Sequence, residues 1–147
     1  MFKRTFIASL ILVSNVSLSY ASEPYLLLNK QIKKTNISDS YLRKIFLGRQ
    51  KLSENGIIIS PCYLADDEIK KVLYKITDKT HSSFRRYWNM RLFSGQGRRV
   101  KEIKNKRRLY QYMSDKAGAI CLSYYDEDLP SNIVAIPLKQ PPMDKDG

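Results

Sequence analysis

The chain has 147 residues, with 26 Lys and Arg against 14 Asp and Glu, so its formal net charge is +12 at pH 7. With one histidine and two cysteines, the sequence holds no His, Cys and carboxylate set at metal-ligand spacing and no nucleophile with a histidine partner. These features exclude most metal and catalytic sites, so we predict a protein that is not an enzyme and has no metal and no cofactor.

The first 21 residues have the pattern of a secretory signal. Lys3 and Arg4 give a positive start, residues 5–16 are largely apolar, and small residues precede the cut after Ala21. An N-terminal membrane anchor is the alternative, but the apolar run is shorter than the roughly 20 residues of a spanning helix. We predict a signal peptide over 1–21, and therefore export to the periplasm.

In the first half of the mature chain, short continuous apolar runs alternate with segments whose apolar residues recur at helical intervals. Residues 25–28 predict a buried strand, and the helix that follows stops at Gly48. A β-branched run predicts a second strand over 57–59 that ends before Pro61, and apolar residues over 69–76 predict a second helix.

The second half continues the alternation. The aromatic spacing at 84–88 predicts a third helix, and the apolar residues between 100 and 113 predict a fourth, amphipathic one. Apolar runs at 119–122 and 133–136 predict the last two strands. Strands separated by helices need crossover connections, so we predict an α/β fold with a mainly parallel sheet and helices on both faces. The length suits one domain over 22–140, with a loose tail over 141–147.

Cys62 and Cys121 both lie at or near predicted strands. An oxidising compartment permits a disulfide between them, and two separately buried thiols are the alternative. Export also changes the meaning of the charge. We expect an exported basic protein to bind anionic solutes, envelope polymers or phospholipid headgroups, and not nucleic acid. The alternative is a basic surface that is solvated and has no specific partner.

Five short motifs follow one another in the mature chain. They are IFLGR at 45–49, Asn55-Gly56, RRYW at 85–88, LFSGQG at 92–97 and AGAI at 117–120. In this order they resemble the short periplasmic proteins called phosphate transporter substrate-binding proteins, over roughly residues 25–136. The resemblance implies a single lobe of the type 2 periplasmic binding fold, an oxyanion such as phosphate as ligand, and an ABC permease as partner.

Two segments compete for the anion site that the resemblance implies. In the first, after the predicted second strand, Asp66 and Asp67 stand where receptors place a hydroxyl, and carboxylates at a helix start repel a second anion. In the second, FSGQGRR at 93–99, Ser94 is expected to cap a helix start whose free N–H groups point at a phosphate. The candidate anion-binding residues are Arg91, Ser94, Gly95, Gln96, Gly97 and Arg98.

The same residues are also compatible with a plain turn whose arginines are solvated surface residues. Phe84, Tyr87, Trp88 and Phe93 are expected to form a core cluster, and stacking of Tyr87 and Trp88 on a ligand is the alternative. Two functions therefore stand side by side. One is a small solute-binding module for phosphate or another oxyanion. The other is a ligand-free interaction module whose basic face binds an envelope protein or, weakly, an anionic membrane.

Overall fold

The computed structural model describes residues 23–33 and 36–138, so the predicted signal peptide and the predicted C-terminal tail lie outside the described residues. Five strands and four helices occur in this part of the chain. In order they are β1 (Pro24–Asn29), α1 (Asp39–Phe46), β2 (Ser60–Leu64), α2 (Asp67–Thr77), α3 (His81–Phe93), β3 (Lys101–Ile103), α4 (Lys106–Asp115), β4 (Ala119–Tyr124) and β5 (Ile133–Pro137).

The strands form one sheet in the order β3-β2-β4-β1-β5. β2 is parallel to both β3 and β4, while β1 is antiparallel to both β4 and β5. Four of the five strands therefore run in one direction, which confirms the α/β class and the mostly parallel sheet. The first strand departs from a fully parallel arrangement, because it lies reversed between β4 and β5.

Side-chain contacts place α2 and α4 on opposite faces of the sheet. Lys70 of α2 pairs with Glu102 of β3, and Glu102 also accepts a hydrogen bond from Tyr63 of β2. The neighbouring residues of these strands point the other way, since successive side chains alternate across a strand. On that second face, Tyr112 of α4 lies beside Ser60 of β2.

Polar side chains at the helix starts explain where the helices begin. Ser38 accepts a hydrogen bond from the Tyr41 N–H at the start of α1. Thr80 and Ser83 form a capping box at the start of α3, in which each side chain accepts a bond from the other residue's backbone N–H. Asn105 caps α4 by accepting from the Arg108 N–H. These caps satisfy donors that have no partner inside the helix.

The second strand lies three residues later than predicted. Residues 57–59 make only an isolated bridge between Leu52 and Ile58, and β2 continues through Pro61. The Ser60 N–H donates to Gly118 O on the β4 side, so Pro61 faces the other side, where the pairing with β3 begins only at Cys62. Pro61 is tolerated because no ladder bond needs its missing N–H.

The predicted helix over 100–113 is wrong for its first six residues. Residues 101–103 form β3, and α4 begins only after Asn105. Val100 and Ile103 are both buried at a spacing of three, which imitates a helical stripe. Their burial comes instead from a loop end and a short strand packed on the core.

A disulfide joins Cys62 to Cys121, which are directly opposed on β2 and β4 with a Cα–Cα distance of 4.4 Å. Both residues are fully buried in the core. The structure thus favours the paired alternative over two separate thiols, and it places the link between two neighbouring strands in the interior of the sheet.

The two edges of the sheet are short or interrupted. β3 has three residues, and its Lys101 and Glu102 are exposed and charged. β5, at the opposite edge, ends in Pro137, which has no N–H to donate.

Candidate functional site

The FSGQG segment ends a helix and does not begin one, which overturns the predicted mechanism of anion binding there. Ser94 is the C-cap of α3, and Gly95 has a positive φ of 70°. The Gly95 N–H donates to Leu92 O and the Gln96 N–H to Arg91 O, so these two amides satisfy the helix's own carbonyls. This is the usual glycine stop of a helix, whose end carries a partial negative charge.

Arg91 of the predicted site is engaged within the protein. Its guanidinium donates to the backbone oxygens of Gly48 and Gln96 and to the Tyr87 hydroxyl. Tyr87 in turn donates to Leu47 O. Arg91 therefore ties the end of α1 to the end of α3 through its two Nη atoms, while its buried Nε has no hydrogen-bond partner among the described residues.

Three of the predicted site residues, Gln96, Gly97 and Arg98, line a cleft of about 650 Å³. Ser94 and Gly95 do not line it. Five of the lining residues are basic, and among the described residues that line the cleft none is Asp or Glu. The basic residues are Lys51, Arg98, Arg99, Lys101 and Lys116. We call this the basic cleft.

The basic cleft lies at the amino ends of the parallel strands. Ser60 and Pro61 begin β2, Lys101 begins β3, and Lys116 is the C-cap of α4 just before β4. In open α/β sheets, ligands are usually bound at the opposite edge, where the strands have their carboxyl ends. The cleft is therefore a site that the sheet topology alone does not point to.

Four of the five cations have no hydrogen bond or ion pair from their side chains to other described residues: Lys51, Arg98, Lys101 and Lys116. Arg99 donates to the Asn89 side-chain oxygen over 2.6 Å, which leaves its positive charge without an acidic partner. All five residues are exposed at the rim. The local field of the cleft is positive, and solvent screens it in part.

Apolar and aromatic residues form the floor of the basic cleft. Trp88, which is 1% exposed, packs over Gly48, and its Nε1 has no hydrogen-bond partner among the described residues. A Cβ at Gly48 would lie 2.6 Å from the Trp88 ring, so only glycine lets the indole approach there. Ile59 and Pro61 complete this apolar floor.

At the carboxyl edge of the sheet, a carboxylate fills the position that an anion would take. Asp66 caps α2 by accepting from the N–H groups of Glu68 and Ile69, and it also accepts a hydrogen bond from the Tyr124 hydroxyl. The Tyr124 hydrogen bond lowers the pKa of Asp66, while burial and this same bond raise the pKa of Tyr124. The start of α2 therefore already holds a carboxylate, which would repel a second anion.

The expected aromatic core is only partly present. Phe84 and Trp88 are buried, but Phe93 at the end of α3 is 93% exposed. Tyr87 stands edge-on to Trp88, with ring centroids 5.6 Å apart.

Sequence reasoning did not assign Lys51, Lys101 and Lys116 to a site. They lie far apart in the chain, and only the arrangement of α1, β3 and α4 around β2 brings them together. Lys51 and Lys116 are not part of a run of basic residues, so the sequence gave no sign that they belong to a basic site.

No family model matches the chain, and no curated protein matches it at a significant level. None of the helices in the described part combines the length and apolar character that a membrane crossing requires. In the same part of the chain, no three metal-binding side chains lie together.

Proposed function

We propose that this protein is an exported, non-catalytic binding protein whose basic cleft accepts an oxyanion such as phosphate. The proposal includes the assignment of the chain to single-lobe, type 2 periplasmic-binding-like proteins, which rests on the order of motifs and on the α/β fold. An ABC permease or another envelope protein is the macromolecular partner that such a binding protein serves.

One observation carries this proposal: five cations converge on one concave site that no acidic residue lines. Like charges held together repel one another, and a bound anion relieves that repulsion while it gains charge-assisted hydrogen bonds from the Arg98 guanidinium and the lysines. Arginine and lysine side chains, and not helix-start amides, are the donors in this proposal.

The geometry also sets the expected strength of binding. A single lobe offers an open face, and the cations are exposed at the rim, so water and salt compete with the ligand. We expect a dissociation constant on the order of 1 mM, for which about 20 mM phosphate stabilises the folded state by roughly 1.8 kcal/mol.

The chain's single tryptophan gives a direct test, because Trp88 lines the cleft. Phosphate added at constant ionic strength is expected to change the Trp88 emission and to raise the melting temperature above that in matched chloride. The double substitution Arg98→Ala with Lys101→Ala should abolish both effects. Arg107→Ala, which removes an exposed charge outside the cleft, should preserve them.

An equal response to phosphate and chloride contradicts the proposal. So does an Arg107→Ala variant that loses binding to the same degree as the cleft variant, because the effect would then depend on net charge alone.

A further inference from the structure

The outward side of α3 combines cations with large exposed apolar side chains. Met90 is 68% exposed, Leu92 42% and Phe93 93%, and Arg85 and Arg86 are exposed beside them. We call these five residues the α3 outer face. From position 79 to position 101 the sequence contains seven Lys and Arg and no Asp or Glu, so the face has one sign of charge.

Helical spacing orders these side chains along the axis. Arg86, Met90 and Phe93 follow one another along one line at intervals of four and three residues, whereas Arg85 and Leu92 lie on a second line about 100° around the helix axis. At 1.5 Å per residue, Arg86 and Arg85 stand about 10 Å and about 12 Å from Phe93 along the helix. The face is therefore basic toward its start and apolar at its tip.

The tip of α3 can leave water at reduced cost, because three of its last four carbonyl groups are already hydrogen-bonded. Met90 O accepts from the Ser94 N–H, Leu92 O from the Gly95 N–H, and Arg91 O from the Gln96 N–H. Burial of a helix end usually leaves such carbonyl groups without a hydrogen-bond partner. In this protein the turn that follows α3 supplies the partners.

We propose that the α3 outer face docks on an anionic lipid bilayer. Met90, Leu92 and Phe93 enter the boundary between headgroups and acyl chains, and Arg85 and Arg86 contact lipid phosphates. Amphipathic surfaces that bind membranes pair Phe and Leu with Arg in this manner. A bilayer fits these residues better than a folded partner, since the apolar side chains protrude from a helix end and a fluid headgroup layer closes around a protrusion without a preformed cavity.

Vesicle co-flotation with the full mature chain tests the proposal. We expect binding to vesicles of about three parts phosphatidylcholine to one part phosphatidylglycerol, weakening with salt, and little binding to phosphatidylcholine alone. Each of Arg85→Ala and Arg86→Ala should weaken binding about fivefold. The double variant Met90→Ser with Phe93→Ser should weaken it at least about tenfold.

Matched controls separate the face from general properties of the chain. Leu52→Ser removes a half-exposed apolar side chain elsewhere, and Arg107→Ala removes an exposed charge elsewhere. Both are expected to change vesicle binding less than about twofold. Circular dichroism of each variant checks that the fold is retained.

Three results would overturn the inference. The first is that anionic vesicles do not bind the chain, and the second is that the control variants lose binding as strongly as the variants of the α3 outer face. The third is that inorganic phosphate at constant ionic strength displaces the chain from the vesicles, which would assign headgroup binding to the basic cleft. Loss of a dimer in the Met90→Ser and Phe93→Ser variant, without any vesicle binding by the parent, would instead identify a second copy as the occupant.

Discussion

Reduction of the Cys62–Cys121 disulfide should destabilise the protein strongly. The bond links residues 59 positions apart, and it closes that loop in the unfolded chain as well as in the folded one. For a loop of about 60 residues, the chain-entropy relation gives about 4 kcal/mol at 25 °C. With a urea dependence of about 2 kcal/mol per molar, the unfolding midpoint should fall by about 2 M on reduction.

Urea unfolding followed by circular dichroism, with and without a reductant, measures this change. The protein is first reduced in the unfolded state, because both sulfurs are fully buried in the folded one. A Cys62→Ala with Cys121→Ala variant is the control, and its midpoint should not respond to reductant. Equal midpoints for the oxidised and reduced wild type, or two free thiols in the unfolded and unreduced protein, would refute the reasoning.

Two further predictions concern substitutions of single residues. Gly48→Ala should destabilise the fold by roughly 1–3 kcal/mol in the same urea assay and should shift the Trp88 emission, because the residue has a φ of 69° and its new Cβ meets the indole. An unchanged midpoint would contradict that clash. Tyr124→Phe removes the hydrogen bond that lowers the pKa of Asp66, a stabilisation that is present above about pH 4 and is lost as the pH falls below that. Urea midpoints measured from about pH 7 down to pH 3 should therefore fall less steeply in this variant than in wild type, and parallel curves would count against the coupling.

Periodicity in the sequence was enough to predict most of the elements. The first two helices and the strands around Leu26 and Ile120 have apolar spacing of one kind only, so their type follows from pattern alone. The failure at 100–113 has a local cause, because Val100 and Ile103 are spaced as in a helix while one lies in a loop and the other in an edge strand. Asn105 was the available signal for the true helix start.

The direction of the FSGQG segment was the decisive error about the site. A serine before a glycine suits a helix start, but Gly95 directly follows the C-cap and adopts the positive φ of a helix stop. The basic cleft was beyond prediction from pattern, since the sequence contains no local sign that Lys51, Arg98 and Lys116 converge. Their convergence depends on the order in which the strands are laid into the sheet.

The two edges of the sheet bear on how this molecule meets other proteins. At β3 an incoming strand would find three residues with exposed charges, and at β5 it would meet a proline. Both features discourage a foreign peptide from extending the sheet and discourage edge-to-edge aggregation. Recruitment of another macromolecule is therefore directed to side-chain surfaces and not to the addition of a strand at either edge.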